Sequence, residues 1–319
     1  MKVLITGASG FVGQVLAEAL LSQNHTVILT DLHTPPIPGD SQHPSAVALA
    51  ADLTAEPLAP ALLPADLDAI YILHGIMSSG AEANLDLGYR VNLFSTIHLL
   101  DAARATCRAG IRVVYASSCA TYGAPLPALP SESTPPTPES SYGTQKHMVE
   151  LLLNDYHRRG LVTAFSVRLP SITVRAGAPT QAASSWMSGI IREPLQGKGS
   201  TVPVTDDSFQ CWVCSPRTLV RNLVKCLALP RDCMEPHIRQ VLLPGITVSV
   251  GEMLLALKNV GGEEAVRLVR RQEADEATTR LFRSWPVGFD VSRALKIGFE
   301  PAGSFLEAVE DFAAGLKST

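Results

Sequence analysis

A tyrosine and a lysine four residues apart, in Tyr142-Gly143-Thr144-Gln145-Lys146, and a serine pair, Ser117-Ser118, are the residues best placed to do chemistry in this chain. On a helix the Tyr and Lys side chains share one face, a turn apart. A free phenol ionises near pH ~10, too high for a base at neutral pH. An ammonium one turn away favours the phenolate and is expected to pull that value down. A serine hydroxyl from another segment would hold a substrate oxygen in reach. Such a set moves a proton on or off an alcohol, and the accompanying hydride needs an acceptor.

The N-terminus carries a place for one. Gly7-Ala8-Ser9-Gly10-Phe11-Val12-Gly13 follows a β-rich run and opens a helical one. Glycines let the backbone turn tightly and approach a pyrophosphate, whose charge sits against the helix N-terminus. The spacing is G-x-x-G-x-x-G, and its strand–loop–helix context gives it weight. Asp31 ends the next strand. A carboxylate there accepts from adenosine ribose hydroxyls and repels a 2'-phosphate, and no arginine stands nearby in sequence, so NAD is expected over NADP. Asp52-Leu53 after the third strand are placed beside the adenine, or Asp52 caps a turn.

These residues need a scaffold. Short β-rich runs at Val3–Thr6, Thr26–Thr30, Ala46–Ala50, Asp68–Leu73, Ile111–Ser117 and Val162–Val167 alternate with helical patterns at Phe11–Leu21, Ala83–Cys107 and Tyr142–His157. That alternation predicts βαβ units, a doubly wound parallel sheet of the Rossmann type with helices on both faces. Proline-rich stretches at Thr34–Pro44 and Pro125–Pro138 are expected loops. After about Arg168 the pattern changes. A loop is expected at Pro170–Pro179, helices at Ala182–Ile191, Pro216–Leu229 and Val248–Val260, and short strands at Ser200–Val204 and Val266–Val269. The remainder is expected to be helical to Leu316. Ser249 and Glu252 form a capping-box pair. The expected organisation is a dinucleotide-binding domain over 1–170 and a smaller substrate-binding lobe over 171–319, with some segments returning to the first.

Bulk composition narrows the function classes. The 319 residues are 46% hydrophobic and 18% charged, with a net charge of -4. There is no basic footprint for nucleic acid, and no apolar run of about 18 residues to span a membrane. The glycine loop follows Met1-Lys2-Val3 so closely that no signal peptide is expected, which gives a soluble, cytoplasmic protein. Cys211-Trp212-Val213-Cys214 has redox or zinc spacing, but no second Cys or His pair completes a site, so ordinary thiols and no metal are expected.

The glycine loop, Asp31, Asn92, the serine pair, Tyr142 and Lys146, and Arg168-Leu169-Pro170 resemble the extended short-chain dehydrogenase/reductase superfamily. Within it, Asp86-Leu-Gly-Tyr-Arg-Val-Asn92, Gly123-Ala-Pro-Leu-Pro127 and Ala183-Ser-Ser-Trp-Met-Ser-Gly-Ile-Ile-Arg-Glu-Pro-Leu195 are most similar to the branch that oxidises D-erythronate, a four-carbon sugar acid. The resemblance implies Tyr142 as catalytic base, Lys146 as the lysine that lowers its pKa and holds the nicotinamide ribose, and Ser118 as the substrate-orienting hydroxyl. It places Ser117 near the nicotinamide, with Leu73-His74-Gly75, Asn92 and Pro170 around the cofactor. The family usually has Leu-Ala-Ala where Leu73-His74-Gly75 stands, and His74 is expected to contribute its backbone. The resemblance also implies a homodimer through the helices over 83–107 and 142–157.

A carboxylate substrate asks for a cation or several donors. Arg175 is the first candidate and Arg192 the second, with Ser78, Ser79, Ser184 and Ser185 for hydroxyls. The expected reaction is oxidation of the C2 hydroxyl of D-erythronate to 2-dehydro-D-erythronate. Two other readings share the fold: a nucleotide-sugar 4-epimerase, which would release no net NADH, and a non-catalytic NAD-sensing regulator, which would not need the Ser–Tyr–Lys set. Cys119-Ala120 after Ser118 lacks the acidic pair common in dehydratases.

Overall fold

The computed structural model describes residues 1–39, 41–179 and 182–317; residue 40 of the expected 34–44 loop lies outside them. A seven-stranded sheet, all parallel, forms the centre. Its strands are β1 (Lys2–Thr6), β2 (Thr26–Asp31), β3 (Ala46–Ala50), β4 (Ala69–Ile72), β5 (Ile111–Ser118), β6 (Val162–Leu169) and, later in the chain, β10 (Gln240–Leu242). Their order is β10-β6-β5-β4-β1-β2-β3. The order reverses between β1 and β4, and the crevice at such a reversal is where open α/β sheets bind ligands.

Alternation along each strand supplies a core on both faces. Val3 and Ile5 of β1 pack with Leu16 and Leu20 of α1 (Phe11–Ser22) and with Leu219 and Leu223, whereas Leu4 packs on the other side with Leu99, Leu100, Val149 and Leu153. The expected single helix over 83–107 is instead four segments: α2 (Ser78–Ala83), α3 (Leu85–Gly88), a wide π-turn at Tyr89–Phe94, and α4 (Ser95–Thr106). Asn84 causes the first break. It is extended, and its side chain accepts from Leu87 N–H, a role that asparagine takes more readily than a helix interior. α5 (Ser141–Arg158) starts from a Ser140 cap.

Beyond β6 the chain builds a smaller layer. β7 (Ser171–Ile172), β9 (Gln210–Cys214) and β11 (Ile246–Ser249) form one sheet, and β8 (Ser200–Val202) pairs with β12 (Val269–Arg271). The helices here are α6 (Trp186–Leu195), α7 (Pro216–Lys225), α8 (Val250–Arg267), α9 (Glu276–Ser284), α10 (Ser292–Lys296) and α11 (Phe305–Lys317). The capping box of Ser249 and Glu252 is formed at the start of α8. Two expectations are corrected, for the loop after Pro170 and for the C-terminal stretch, and a strand is added between them. The loop after Pro170 contains β7, because Ser171 and Ile172 pair in parallel with Val213 and Cys214. Gln210–Cys214 is a strand, and Cys211 and Cys214 therefore face different cores, Cys211 beside Val213 and Cys214 beside Leu219. The C-terminal stretch is three helices separated by extended chain, with Phe282 and Trp285 packed on each other. α6 lies against α8 and β8.

Candidate active site

At the C-terminal ends of β1, β2, β4, β5 and β6 lies a cavity of about 780 Å³ that continues under β9 and α9. Its first half is shaped by the glycine loop. Gly7 has φ +67, and a Cβ there would stand 2.6 Å from the backbone nitrogen of His74. Only glycine fits both that conformation and that approach. Gly10, Phe11, Val12 and Gly13 line the same end, with Asp31, Asp52, Leu53, Leu73, His74 and Gly75. The Asp31 carboxylate accepts from Ser9 N–H (3.0 Å) and Leu32 N–H (2.8 Å), which ties the loop to the end of β2. Asp52 accepts from the Thr54 hydroxyl and N–H, bonds that hold its carboxyl below the usual range, so it closes its own turn at the cavity wall. A glycine cradle with a carboxylate at its rim fits an adenine dinucleotide.

His74 lines this end yet spends its side chain elsewhere. Nδ1 lies 2.8 Å from Thr6 Oγ1 and Nε2 lies 2.9 Å from Ser95 Oγ. The Ser95 hydroxyl donates to Val91 C=O, so it accepts from Nε2–H. Burial, then the nearby Lys146 cation, pushes His74 down to about 3, which favours the neutral ring.

The proton-transfer groups meet midway along the cavity. Ser118 ends β5, and its Oγ accepts from Ala120 N–H at 3.1 Å, leaving the hydroxyl proton free to donate. Tyr142, in the first turn of α5, has its phenol beside the Ser118 hydroxyl, which favours the phenolate. α5 reaches this position because residue 143 is glycine: a Cβ there would lie 2.0 Å from Ala120 C=O. Lys146 Nζ donates to Ala116 C=O (2.8 Å) and sits 5.5 Å from the centre of the Tyr142 ring. The expected drop in the phenol's pKa is corrected by this geometry. Burial pushes Tyr142 up to about 12 against the effect of the Ser118 hydroxyl, and pushes Lys146 down to about 8 against the opposing pull of Glu150.

Beneath this set runs a buried ionic network. Glu150 is fully buried and accepts from Arg168 Nε (2.8 Å) and Nη2 (2.7 Å), Ser117 Oγ (2.6 Å) and His147 Nδ1 (3.1 Å). Burial works to raise its carboxyl, and the Arg168, His147 and Ser117 bonds overcome it, leaving it lowered. Arg168 Nη1 also donates to Tyr122 Oη, which donates to Ser131 C=O. β5, β6, α5 and the loop after Tyr122 are thereby joined.

The far half is apolar, walled by Phe209, Trp212, Phe282, Trp285 and Phe289. An arginine lines the cavity as well. Arg175 lines the cavity, its Nε is buried without a hydrogen-bond partner, and among the described residues no carboxylate pairs with it. Lys146 and Arg175 are the only lysine and arginine among the lining residues described.

A family model described as the NAD dependent epimerase/dehydratase family matches residues 3–212. The chain belongs to this family. Members are NAD-dependent enzymes of the extended short-chain dehydrogenase/reductase type, and NAD is the cofactor that the glycine cradle serves. The chain is 39% identical over 316 residues to D-erythronate dehydrogenase of Haemophilus influenzae, covering 98% of each. It is 36% identical to D-erythronate dehydrogenase of Cupriavidus necator, again over 98% of each. A crystal structure of a nucleoside-diphosphate-sugar epimerase from Agrobacterium tumefaciens superimposes with a TM-score of 0.88 at 39% identity, covering 97% of this chain and 92% of that one.

Several expected site residues do not reach the cavity of this family member. Asn92 is buried behind it, bonding Ile76 N–H (2.7 Å), Ile76 C=O (3.0 Å) and Gln145 Oε1 (2.7 Å); it shapes the 75–77 turn instead of meeting the cofactor. Arg192 is 2% exposed and bound to Glu193 and to the Arg175 carbonyl, so its guanidinium is unavailable to a substrate. Ser117 lies at the wall, but its hydroxyl is committed to Glu150. Ser78, Ser184 and Pro170 line the cavity, whereas Ser79 and Ser185 do not. Sequence reasoning missed the aromatic wall and Gln210, which come from β9 and the α9 region. The short apolar run Cys211-Trp-Val-Cys214, with an aromatic and a β-branched residue at its centre, was the signal, masked there by its thiol spacing.

Proposed function

We propose that this chain oxidises the C2 hydroxyl of D-erythronate to 2-dehydro-D-erythronate with NAD. The observation that carries the reading is Arg175, a half-buried cation whose Nε is buried without a hydrogen-bond partner and which has no acidic partner among the described residues, in the same cavity as Ser118, Tyr142 and Lys146. Similarity along the whole length to two proteins bearing the name D-erythronate dehydrogenase supports it.

The roles follow from the groups present. Arg175 binds the C1 carboxylate and brings C2 toward the proton-transfer set. NAD, when bound, accepts the hydride from C2. Tyr142 takes the C2 hydroxyl proton, and Ser118, its lone pair occupied by Ala120 N–H, donates to the oxygen as it becomes a carbonyl. Lys146 keeps a positive charge beside the phenolate. Such proton transfer is worth ~100- to 10,000-fold in rate. In this reading residues 1–170 hold NAD, and most of 171–319 forms the substrate lobe.

The name of the Agrobacterium relative favours a second reading, a nucleotide-sugar epimerase. A nucleotide diphosphate carries two phosphate charges, and the lining offers Arg175 as its only cation apart from the catalytic lysine. One carboxylate matches that charge better. The test is NADH absorbance on mixing the protein with NAD and each of D-erythronate, L-threonate, L-erythronate and D-threonate. NADH from D-erythronate alone is expected. NAD binding without NADH from any acid would sink the reading and favour epimerisation.

We also propose a homodimer. Phe94 at the head of α4 and Leu151 on α5 are 49% and 55% exposed. Apolar side chains in that position suit a second copy of the same face.

A further inference from the structure

α6 holds Arg175 by its backbone at both ends. Ser188 Oγ accepts from Arg175 N–H (3.1 Å), and Arg192 Nη1 donates to Arg175 C=O (3.2 Å). Ser188 and Arg192 stand four residues apart on the helix and so present one face. Ser188 is itself fixed, with its Oγ 3.4 Å from Ile172 C=O and 3.3 Å from Thr173 Oγ1. Arg192 is 2% exposed, and its Nε (3.0 Å) and Nη2 (2.6 Å) both donate to one oxygen of Glu193. Glu193 therefore cancels the charge of Arg192, while the remaining arm of the guanidinium reaches the Arg175 carbonyl. A planar fork does both jobs at once, which an ammonium cannot.

We propose that Ser188 and the Arg192–Glu193 pair are positioning residues that aim Arg175 into the cavity as a receptor for one carboxylate, an inference that rests on the sugar-acid reading above. Glu193 pairs with Arg192, so Arg175 is the lining arginine left to meet a substrate carboxylate. Burial, and then the neighbouring Arg192 cation, lowers the pKa of Arg175, which marks it as a cation held without an anion of its own. A substrate carboxylate would relieve both effects. Held at its N–H and its C=O, the Arg175 backbone is fixed at the cavity wall, which sets where the side chain starts. A misplacement of about 1 Å can cost on the order of 100-fold where orientation matters.

Steady-state kinetics at saturating NAD, with calorimetric binding of D-erythronate to the enzyme filled with NADH, test the clamp. Arg175→Met should raise KM and Kd for the acid by on the order of 100-fold, as expected for losing a charge-assisted contact. Arg192→Met should raise both about tenfold, with kcat within a few-fold and NADH affinity unchanged. In the Arg175→Met background it should add nothing further, since it acts through Arg175. Arg192→Lys is read by the same criteria if the methionine variant does not fold. A folded Arg192 variant with unchanged KM, or one whose effect persists without Arg175, would overturn the clamp while leaving the substrate reading intact. Unchanged KM in Arg175→Met would overturn the carboxylate reading and the clamp together.

Discussion

Tyr142 and Lys146 are buried together, and burial disfavours the charged form of each: it lifts the phenol to about 12 and lowers the ammonium to about 8. The competent form, phenolate with ammonium, has the same net charge as phenol with free amine, so it appears as the pair loses its first proton, near 8. Oxidation should therefore climb as pH rises from about 7 to about 9, and kcat/KM for the acid measured across that range should show the rise; a flat or falling profile would contradict the assignment. The identities of Ser118, Tyr142 and Lys146 were legible because helical spacing brings residues four apart onto one face. The direction of the Tyr142 shift was not, because it depends on burial, which a lone sequence does not display. Arg192 was misread for a similar reason: a motif places an arginine on α6, but only packing reveals that it faces Glu193 and the Arg175 carbonyl.

Helices α4 and α5 carry two tasks on different faces. One face of α5 packs Val149 and Leu153 under the sheet and delivers Tyr142 to the end of β5, by way of the contact between Gly143 and Ala120. Another leaves Leu151 exposed, and Phe94 at the head of α4 is exposed as well. If a second copy covers these side chains, light scattering should give twice the 34.0 kDa chain mass. Phe94→Asp with Leu151→Asp should return the single-chain mass, because a buried charge without a partner is costly. A single-chain mass for the unaltered protein would refute the dimer. At this scale the parallel strands were legible, since a strand buried on both faces is a compact apolar run between turns. β9, β10 and β11 were not: they are three to five residues long, and their partners lie far away in sequence. The break at Asn84 was legible in principle, as asparagine is a better cap than a helix interior residue.

Across the whole molecule the cavity joins two chemistries. The ends of β1 and β2 offer glycines and a carboxylate to a dinucleotide, and the later chain adds Arg175 and an aromatic wall. The first half was legible from local motifs, because phosphate loops are contiguous in sequence. The second half was legible only in part, since its lining is gathered from segments near 175, 184, 210 and 285. The central claim is that the hydrogen lost from the substrate comes from C2, with Tyr142 taking the hydroxyl proton. Its most direct test uses D-erythronate deuterated at C2 and mass analysis of the NADH formed. The account predicts that the released NADH carries the deuterium, and that Tyr142→Phe retains NAD affinity but forms almost no NADH. Unlabelled NADH would place the oxidation at another carbon, and full turnover by Tyr142→Phe would remove Tyr142 as the base; either result would contradict the account.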